Sequence, residues 1–316
     1  MLDLFGNVVD PKEAVYVNIY ADEIWETTDI KTGEKWIYSA AIYERLDNPI
    51  LEDLINNRYC KNREKWEDYK EQNDTNIHWA EIRKDANKKH IINRWLKYIK
   101  EDCSLDQKFH FSLMGINLSN LEIDEFGDEQ NLLSIYNRFF RSMIKYSLKK
   151  FFGNGVVVKD IFHEDGSQKN HYYFSWHTIF KLDQDENLNF LCKEITYLPK
   201  SHKDDARSNI IQLCDVLVGI LKDLHCGLDI KSNSIKNRLE ILNSEVVQEL
   251  LIKRVIRNPN NPKSRYNHCK RFHLCFFPKT KSESGSVERL MNNYYDTSKI
   301  DLTYENNPKQ VSLFGI

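Results

Sequence analysis

Residues 14–21, AVYVNIYA, alternate along the chain: Val15, Val17, Ile19 and Ala21 point one way, and Tyr16, Asn18, Tyr20 and then Asp22 the other. A period of two belongs to a strand with two unlike faces, so this segment predicts the first strand. DIKTGE at 29–34 carries turn residues around Gly33, and WIYSAAIYE at 36–44 predicts a second strand, so the pair reads as a hairpin. Apolar residues recur at helical spacing over 50–72, over 84–101 and over 131–152, the last a long helix ending near Gly153. Strands are expected at 109–118, at 156–162 (VVVKDIF, β-branched and buried) and at 194–199, with an aromatic helix near 170–182. Residues 233–256 predict helix, 257–281 a basic, proline-containing loop running into a strand, and 279–309 a polar, loop-like stretch. Strands alternating with helices over 14–227 argue for an α/β domain with an accessory C-terminal part.

One helix breaks its own pattern. SNIIQLCDVLVGILKDL at 208–224 surrounds Asp215 with Ile210, Ile211, Leu213, Cys214, Val216, Leu217 and Val218, too apolar a setting for a surface helix. A lone carboxylate there costs several kcal/mol or takes up a proton. A bound cation would make the charge tolerable; so would a path to solvent, or a neighbouring element for it to cap. Other acids stand at telling places. Asp22 and Glu23 end the first strand, Glu81 lies in NIHWAEI at a helix start or turn, and Glu164 and Asp165 follow the buried strand that contains Asp160. Carboxylates converging at strand ends repel one another, and divalent cations neutralise such a cluster. Hard oxygen donors suit Mg²⁺ or Mn²⁺, and two such ions roughly 4 Å apart activate water in phosphodiester hydrolysis. Most of the 47 acidic residues are solvated surface groups, so the argument rests on placement.

Composition narrows the field. With 316 residues, 41% of them hydrophobic, the chain can bury one large core or two small ones. A net charge of -2 excludes a globally basic nucleic-acid binder, which leaves local patches. The best of these is Lys253, Arg254, Arg257, Lys263, Arg265, Lys270 and Arg271, with Tyr266 and Phe272 interleaved for stacking on single-stranded bases; a solvated charged face reads equally well. No apolar run approaches the roughly 18–20 residues of a membrane span, and the N-terminus carries no secretory pattern. Seven scattered cysteines without a CxxC predict reduced thiols in a cytoplasm. HCKRFHLC at 268–275 has Cys and His, but its spacing fits no standard zinc pattern and reads as a strand. No GxxxxGK[ST], HExxH or GxSxG occurs, so those enzyme classes have no support.

Four segments carry a resemblance: YADE at 20–23, HWAEI at 78–82, FHEDGSQ at 162–168 and SNIIQLCDVLVG at 208–219. Together they resemble the motifs of the bacterial and phage domain-of-unknown-function 3800 family, in the RNase H-like superfamily, over roughly residues 14–222. The last motif, with Gln212, Asp215 and Gly219, is the most specific; in the first, Ile24 and Trp25 replace the usual small residue. The resemblance implies an RNase H-like mixed β-sheet flanked by helices over 1–227, an accessory region over 228–300 and a tail over 301–316. It implies metal-dependent nuclease chemistry with two Mg²⁺ or Mn²⁺ ions. Its ligands would be Asp22, Glu81, Asp165 (or Glu164, with Asp160 competing) and Asp215, and Glu23 an alternate. Gln212 would orient a ligand or contact a phosphate, and Ser208 would cap the helix. His78, three residues before Glu81, would share its face and assist proton transfer, although a packed or exposed histidine beside Trp79 is the simpler reading.

The chain ends in QVSLFGI, where Gln310, Leu313 and Phe314 resemble the short peptide by which bacterial proteins dock on the DNA-polymerase sliding clamp, with Val311 in place of the more usual Leu. A tail that packs on its own domain is the plain alternative, and LDLFG at 2–6 looks similar without the Gln. The leading expectation is a nuclease acting on DNA or RNA, recruited by the clamp and serving bacterial or phage defence. The alternatives are a catalytically silent nucleic-acid- or clamp-binding adaptor on the same scaffold, and a phosphoryl-transfer enzyme acting on nucleotides.

Overall fold

The computed structural model describes residues 14–59, 75–82, 85–104, 108–121, 123, 131–153, 155–228, 235–252, 254–256, 260, 265–267, 271–278 and 295–296. Strands β1 (Val15–Thr28) and β2 (Lys35–Arg45) form the expected hairpin. Helix α1 (Leu51–Tyr59), a 3₁₀ turn at Trp79–Glu81 and helix α2 (Ala86–Ser104) follow, then β3 (Phe109–Asn117) and the long helix α3 (Asn131–Phe152). Next come β4 (Val156–Glu164), a 3₁₀ turn at Ser167–Asn170, α4 (Phe174–Asp183), β5 (Asn189–Phe190) and β6 (Thr196–Leu198). Helix α5 (Ser208–Cys226) carries Asp215, and α6 (Lys236–Leu242) and the short α7 (Glu245–Val247) come after it. Strands β7 (Arg254–Ile256), β8 (Arg265–Asn267), β9 (Phe272–Phe277) and β10 (Tyr295–Asp296) complete the described chain.

The main sheet runs β10-β9-β3-β2-β1-β4-β5, with β6 also paired to β4. It is mixed: β1–β2 and β2–β3 are antiparallel, whereas β1–β4, β4–β5 and β3–β9 are parallel. Each face is covered by helices. Ile92, Trp95, Leu217 and Ile220 of α2 and α5 pack on Tyr20, Tyr38, Ala40 and Ile42. Tyr136, Phe140, Ile144 and Phe174 of α3 and α4 pack on Ile19, Ala21, Ile37 and Ile161. All nine residues of β3 are buried, as expected of a central strand covered on both sides. The fold is an α/β sandwich consistent with an RNase H-like architecture. No helix among the described residues is long and apolar enough to cross a membrane.

Three features of the strands shape the site. First, β1 does not stop at Asp22 but continues to Thr28, paired with β2, because EIWETT keeps extended backbone after the apolar alternation is lost. Asp22 therefore sits mid-strand, at the point where pairing to β4 ends with Ala21 opposite His163. Second, the β1–β4 register slips by one residue: Val17 faces Val158, but Asn18 faces Asp160. Lys159 is the extra residue, and a one-residue slip sends every later side chain of β4 to the other face. Third, β9 joins the main sheet beside β3, and Ile241, Leu251, Leu274 and Phe276 share the α2/α5 core, so described parts of 228–300 pack with the first 227 residues.

Candidate functional site

The slip at Lys159 decides which carboxylate meets Asp22. Continuing the register past Ala21 and His163 puts Glu164 beside Asp22, on the α5 face of the sheet. Asp215 approaches from α5, so the charges of Glu164 and Asp215 both act on Asp22, which is only 2% exposed. Burial first, then Glu164, Asp215 and Glu23, raise the Asp22 carboxyl well above the ordinary carboxylate range. Burial likewise pushes Asp215 up to about 6, against the lowering effect of the Trp79 N–H and His78.

Each of the three carboxylates also has a local partner. The Glu23 N–H donates to Asp22 Oδ1 at 2.8 Å. The Trp79 N–H donates to Asp215 Oδ2 at 2.6 Å, and His78 Nδ1 lies 3.8 Å from the same oxygen. Lys200 Nζ stands 3.1 Å from Glu164 Oε1, and the charges of Asp22 and Asp215 reach it as well. The donors are hard oxygens of the kind that Mg²⁺ and Mn²⁺ take. The carboxylates are near enough to raise one another's pKa, yet among the described residues no three His, Cys, Asp or Glu side chains already converge as a metal cage. The donor set fits the ion in chemistry and charge; its present side-chain arrangement is that of the local partners.

Glu23 faces the other side of the sheet. His163 Nε2 lies 3.4 Å from Glu23 Oε2, and the Tyr136 hydroxyl meets that same nitrogen at 2.8 Å. Burial lowers His163 to about 4, so the ring is neutral at neutral pH. With His163 Nδ1 donating to the Glu164 carbonyl, Nε2 is the acceptor, and Tyr136 donates to it. Burial, then Glu164, raises Glu23 to about 8, so it is protonated at neutral pH, and its Oε2 has no hydrogen-bond partner. Gln168 lies close enough to lower the Glu23 pKa, although neither of its amide atoms forms an aligned hydrogen bond.

The remaining candidates are placed as follows. Asp165 pairs with Lys169 at 2.6 Å, and Glu81, 63% exposed, pairs with Lys88 at 3.2 Å. Neither is among the charges acting most strongly on Asp22 or Asp215. From the segment around Glu81 it is His78 and the Trp79 backbone that reach Asp215. Ser208 does not cap α5: it is buried, and its hydroxyl donates to the Pro199 carbonyl at 2.6 Å, tying the Lys200 loop to the helix. Gln212 is buried too. Its oxygen accepts from the Ile77 N–H at 2.9 Å and from Arg58, and its nitrogen donates to the Lys200 carbonyl at 3.0 Å. It thus positions both the His78 segment and Lys200, and those bonds leave its amide little capacity for a phosphate.

Lys200 and Arg58 are the residues that sequence reasoning missed. Lys200 sits in a basic stretch, LPKSHK, just before the Asp215 helix, which was the available signal. Arg58 had none: it is fully buried and donates to Asn209 and Gln212 of α5 across 151 and 154 residues of sequence.

Of the basic patch, Lys253, Arg257, Lys263 and Lys270 lie outside the described residues. Arg254 and Arg265 stand on the small β7–β8 ladder, and Arg271 contacts the His110 ring. Phe272 is buried in the sheet and cannot stack on bases. Cys192, Cys214, Cys226 and Cys275 are free thiols, and Cys275 is buried in β9. Gln310, Leu313 and Phe314 lie outside the described residues, as do residues 2–6. No protein-family model matches the chain, and no curated protein matches it.

Proposed function

We propose that the protein is a metal-dependent nuclease that hydrolyses nucleic-acid phosphodiester bonds. The observation that supports this most is the gathering of Asp22, Glu164 and Asp215, from two neighbouring strands and one apolar helix, at the end of the β1–β4 pairing. Bringing three carboxylates together, Asp22 buried and the other two half-buried, is costly unless positive charge joins them. In this reading the three hold Mg²⁺ or Mn²⁺, with Asp165 and Glu81 as outer candidates, and the ion supplies Lewis acidity and a water of lowered pKa. Lys200, on the solvent side of Glu164, would meet a substrate phosphate. His78 and the Trp79 N–H hold the Asp215 carboxylate in place.

A second reading keeps the scaffold without the chemistry. Lys200, Lys169 and Lys88 already neutralise Glu164, Asp165 and Glu81, as an adaptor would need. Calorimetric titration with Mn²⁺, run beside a cleavage assay on single-stranded, duplex and hybrid DNA and RNA, separates the two. Saturable Mn²⁺ binding together with cleavage is expected. A flat titration and intact substrates would leave the adaptor.

We also propose that the QVSLF peptide docks on the polymerase sliding clamp. Purified clamp should be retained by the full chain and released on deletion of 310–316. No retention at high micromolar concentration would remove the proposal.

A further inference from the structure

Trp79 lies lengthwise on α5. Its backbone N–H donates to Asp215 Oδ2 at 2.6 Å, its ring lies against Gly219, and its Nε1 donates to Asp223 Oδ2 at 2.7 Å. Asp215, Gly219 and Asp223 follow one another at four-residue steps, on one face over about 12 Å of helix. The far end of this seat is built from charge. Asp223 is buried, and Arg238 of α6 donates to its Oδ2 through Nε at 3.0 Å and also through Nη2. Lys222 stands as a counter-charge at Oδ1, which accepts no aligned hydrogen bond. The Arg238 guanidinium also lies 5.4 Å from the centre of the Trp79 ring, so one side chain holds both the indole and its acceptor.

An indole needs no such arrangement to be buried. Trp95, fully buried in the same core, gives its Nε1 to the Leu54 carbonyl at 3.0 Å. A buried ion pair is a poor source of stability, because desolvation offsets the attraction and apolar replacements are often as stable. Charge-assisted hydrogen bonds are, however, short and directional. Helix α6 grips the neighbouring chain twice more: Asn237 Nδ2 donates to the Asp85 carbonyl at 3.4 Å, and Glu240 pairs with Lys89 at 2.5 Å. The Trp79 segment is thus fixed between α5 and a helix that lies beyond residue 227. At the site itself, the Trp79 N–H and His78 both engage Asp215 Oδ2 and not Oδ1.

We propose that Asp223 and Arg238 are positioning residues for the candidate metal site: by holding Trp79 along α5 they keep its N–H on Asp215 Oδ2 and so present Oδ1 to the cation. Neither residue touches the ion or the substrate. The proposal rests on the metal-site reading above, and it makes α6 a working part of that site.

The test uses the full chain with Mn²⁺ alone as the probe. Trp79→Phe keeps the backbone N–H and most of the ring and removes the Nε1 bond. Arg238→Gln removes the cation of the clamp and leaves Lys222 as counter-charge to the buried Asp223. Each is expected to weaken Mn²⁺ binding about 10-fold in calorimetric titration, the lower end of what loss of an outer hydrogen-bond partner costs a metal site, and to change the EPR line shape of the bound ion. In Arg238→Gln, hydrogen exchange of the Trp79 amide should speed several-fold with no metal present. Urea unfolding of each variant is the control. A lower midpoint with wild-type Mn²⁺ affinity and line shape would make the pair merely structural and overturn the positioning role alone, as would unchanged exchange at Trp79. A wild type that binds no Mn²⁺ overturns the metal-site reading and this role with it.

Discussion

Asp215→Asn is expected to move activity and stability in opposite directions. Loss of a charged ligand should lower Mg²⁺- or Mn²⁺-dependent cleavage by more than the roughly 10–100-fold seen when only an outer hydrogen-bond partner of a metal ligand is removed. At the same time the variant should melt higher. The Asp215 carboxyl is raised to about 6, so ionising it at neutral pH costs on the order of 2–3 kcal/mol relative to the unfolded chain. Asparagine keeps the acceptor for the Trp79 N–H without the charge. The sign with pH follows. A group whose pKa is raised on folding favours the fold below its unfolded value and loses that contribution as pH rises through its folded value. Wild type and variant should therefore melt alike near pH 4 and diverge up to about pH 7. Buried neutral histidines such as His163, lowered to about 4, act in the opposite direction in both proteins and cancel in the difference. Scanning calorimetry of the pair across that range is the check, and a wild type that is the more stable at pH 7 would remove the buried-charge argument.

Gly219→Ala is expected to damage the site from beneath. Gly219 lies one turn beyond Asp215 on α5, and a Cβ there would stand 2.2 Å from Trp79 Cδ1 and 2.3 Å from Cγ. Those are atoms near the root of a buried ring, not the tip of a flexible chain. Trp79 has no free path, because its Nε1 donates to Asp223 at 2.7 Å and its backbone N–H to Asp215. The added methyl must push the Trp79 segment off the helix, taking His78 with it. Overpacking of this kind costs about 1–3 kcal/mol, and the backbone involvement puts Gly219→Ala at the upper end. Urea unfolding should show that loss, and activity should fall although no catalytic candidate was touched. Gly219→Ala folding with wild-type stability would mean that Trp79 does not lie against α5.

The Gly219–Trp79 contact also gives a physical reason for the spacing in SNIIQLCDVLVG. Gln212, Asp215 and Gly219 stand at 0, +3 and +7 along a helix, so they share one face. Gln212 holds the segment at Ile77, Asp215 takes the Trp79 N–H, and Gly219 makes room for the Trp79 ring. The motif is in part a seat for residues 77–82.

Periodicity alone determined the β1–β2 hairpin, β3, the long α3, β4 and the apolar α5, because each is long enough for its period to repeat and its burial follows that period. The exceptional position of Asp215 was legible for the same reason: one charge among apolar neighbours is visible without a partner. Strand β5 was not so plain, being two residues long and too short for a period, whereas β6 lies within the strand expected at 194–199.

Only the tertiary structure decided which acids meet. The one-residue slip at Lys159 turns Glu164 toward Asp22 and Asp215, and nothing in VVVKDIF announces a bulge, since its cause is the pairing with β1. In an unbroken register Glu164 would lie beside Glu23 on the opposite face. Lys200 and His78 join the cluster through Ser208, Gln212 and the Trp79 backbone, contacts that cross 9 to 136 residues of sequence. Residue type and period are local and can be read along the chain; register and cross-chain hydrogen bonds exist only once the strands are side by side.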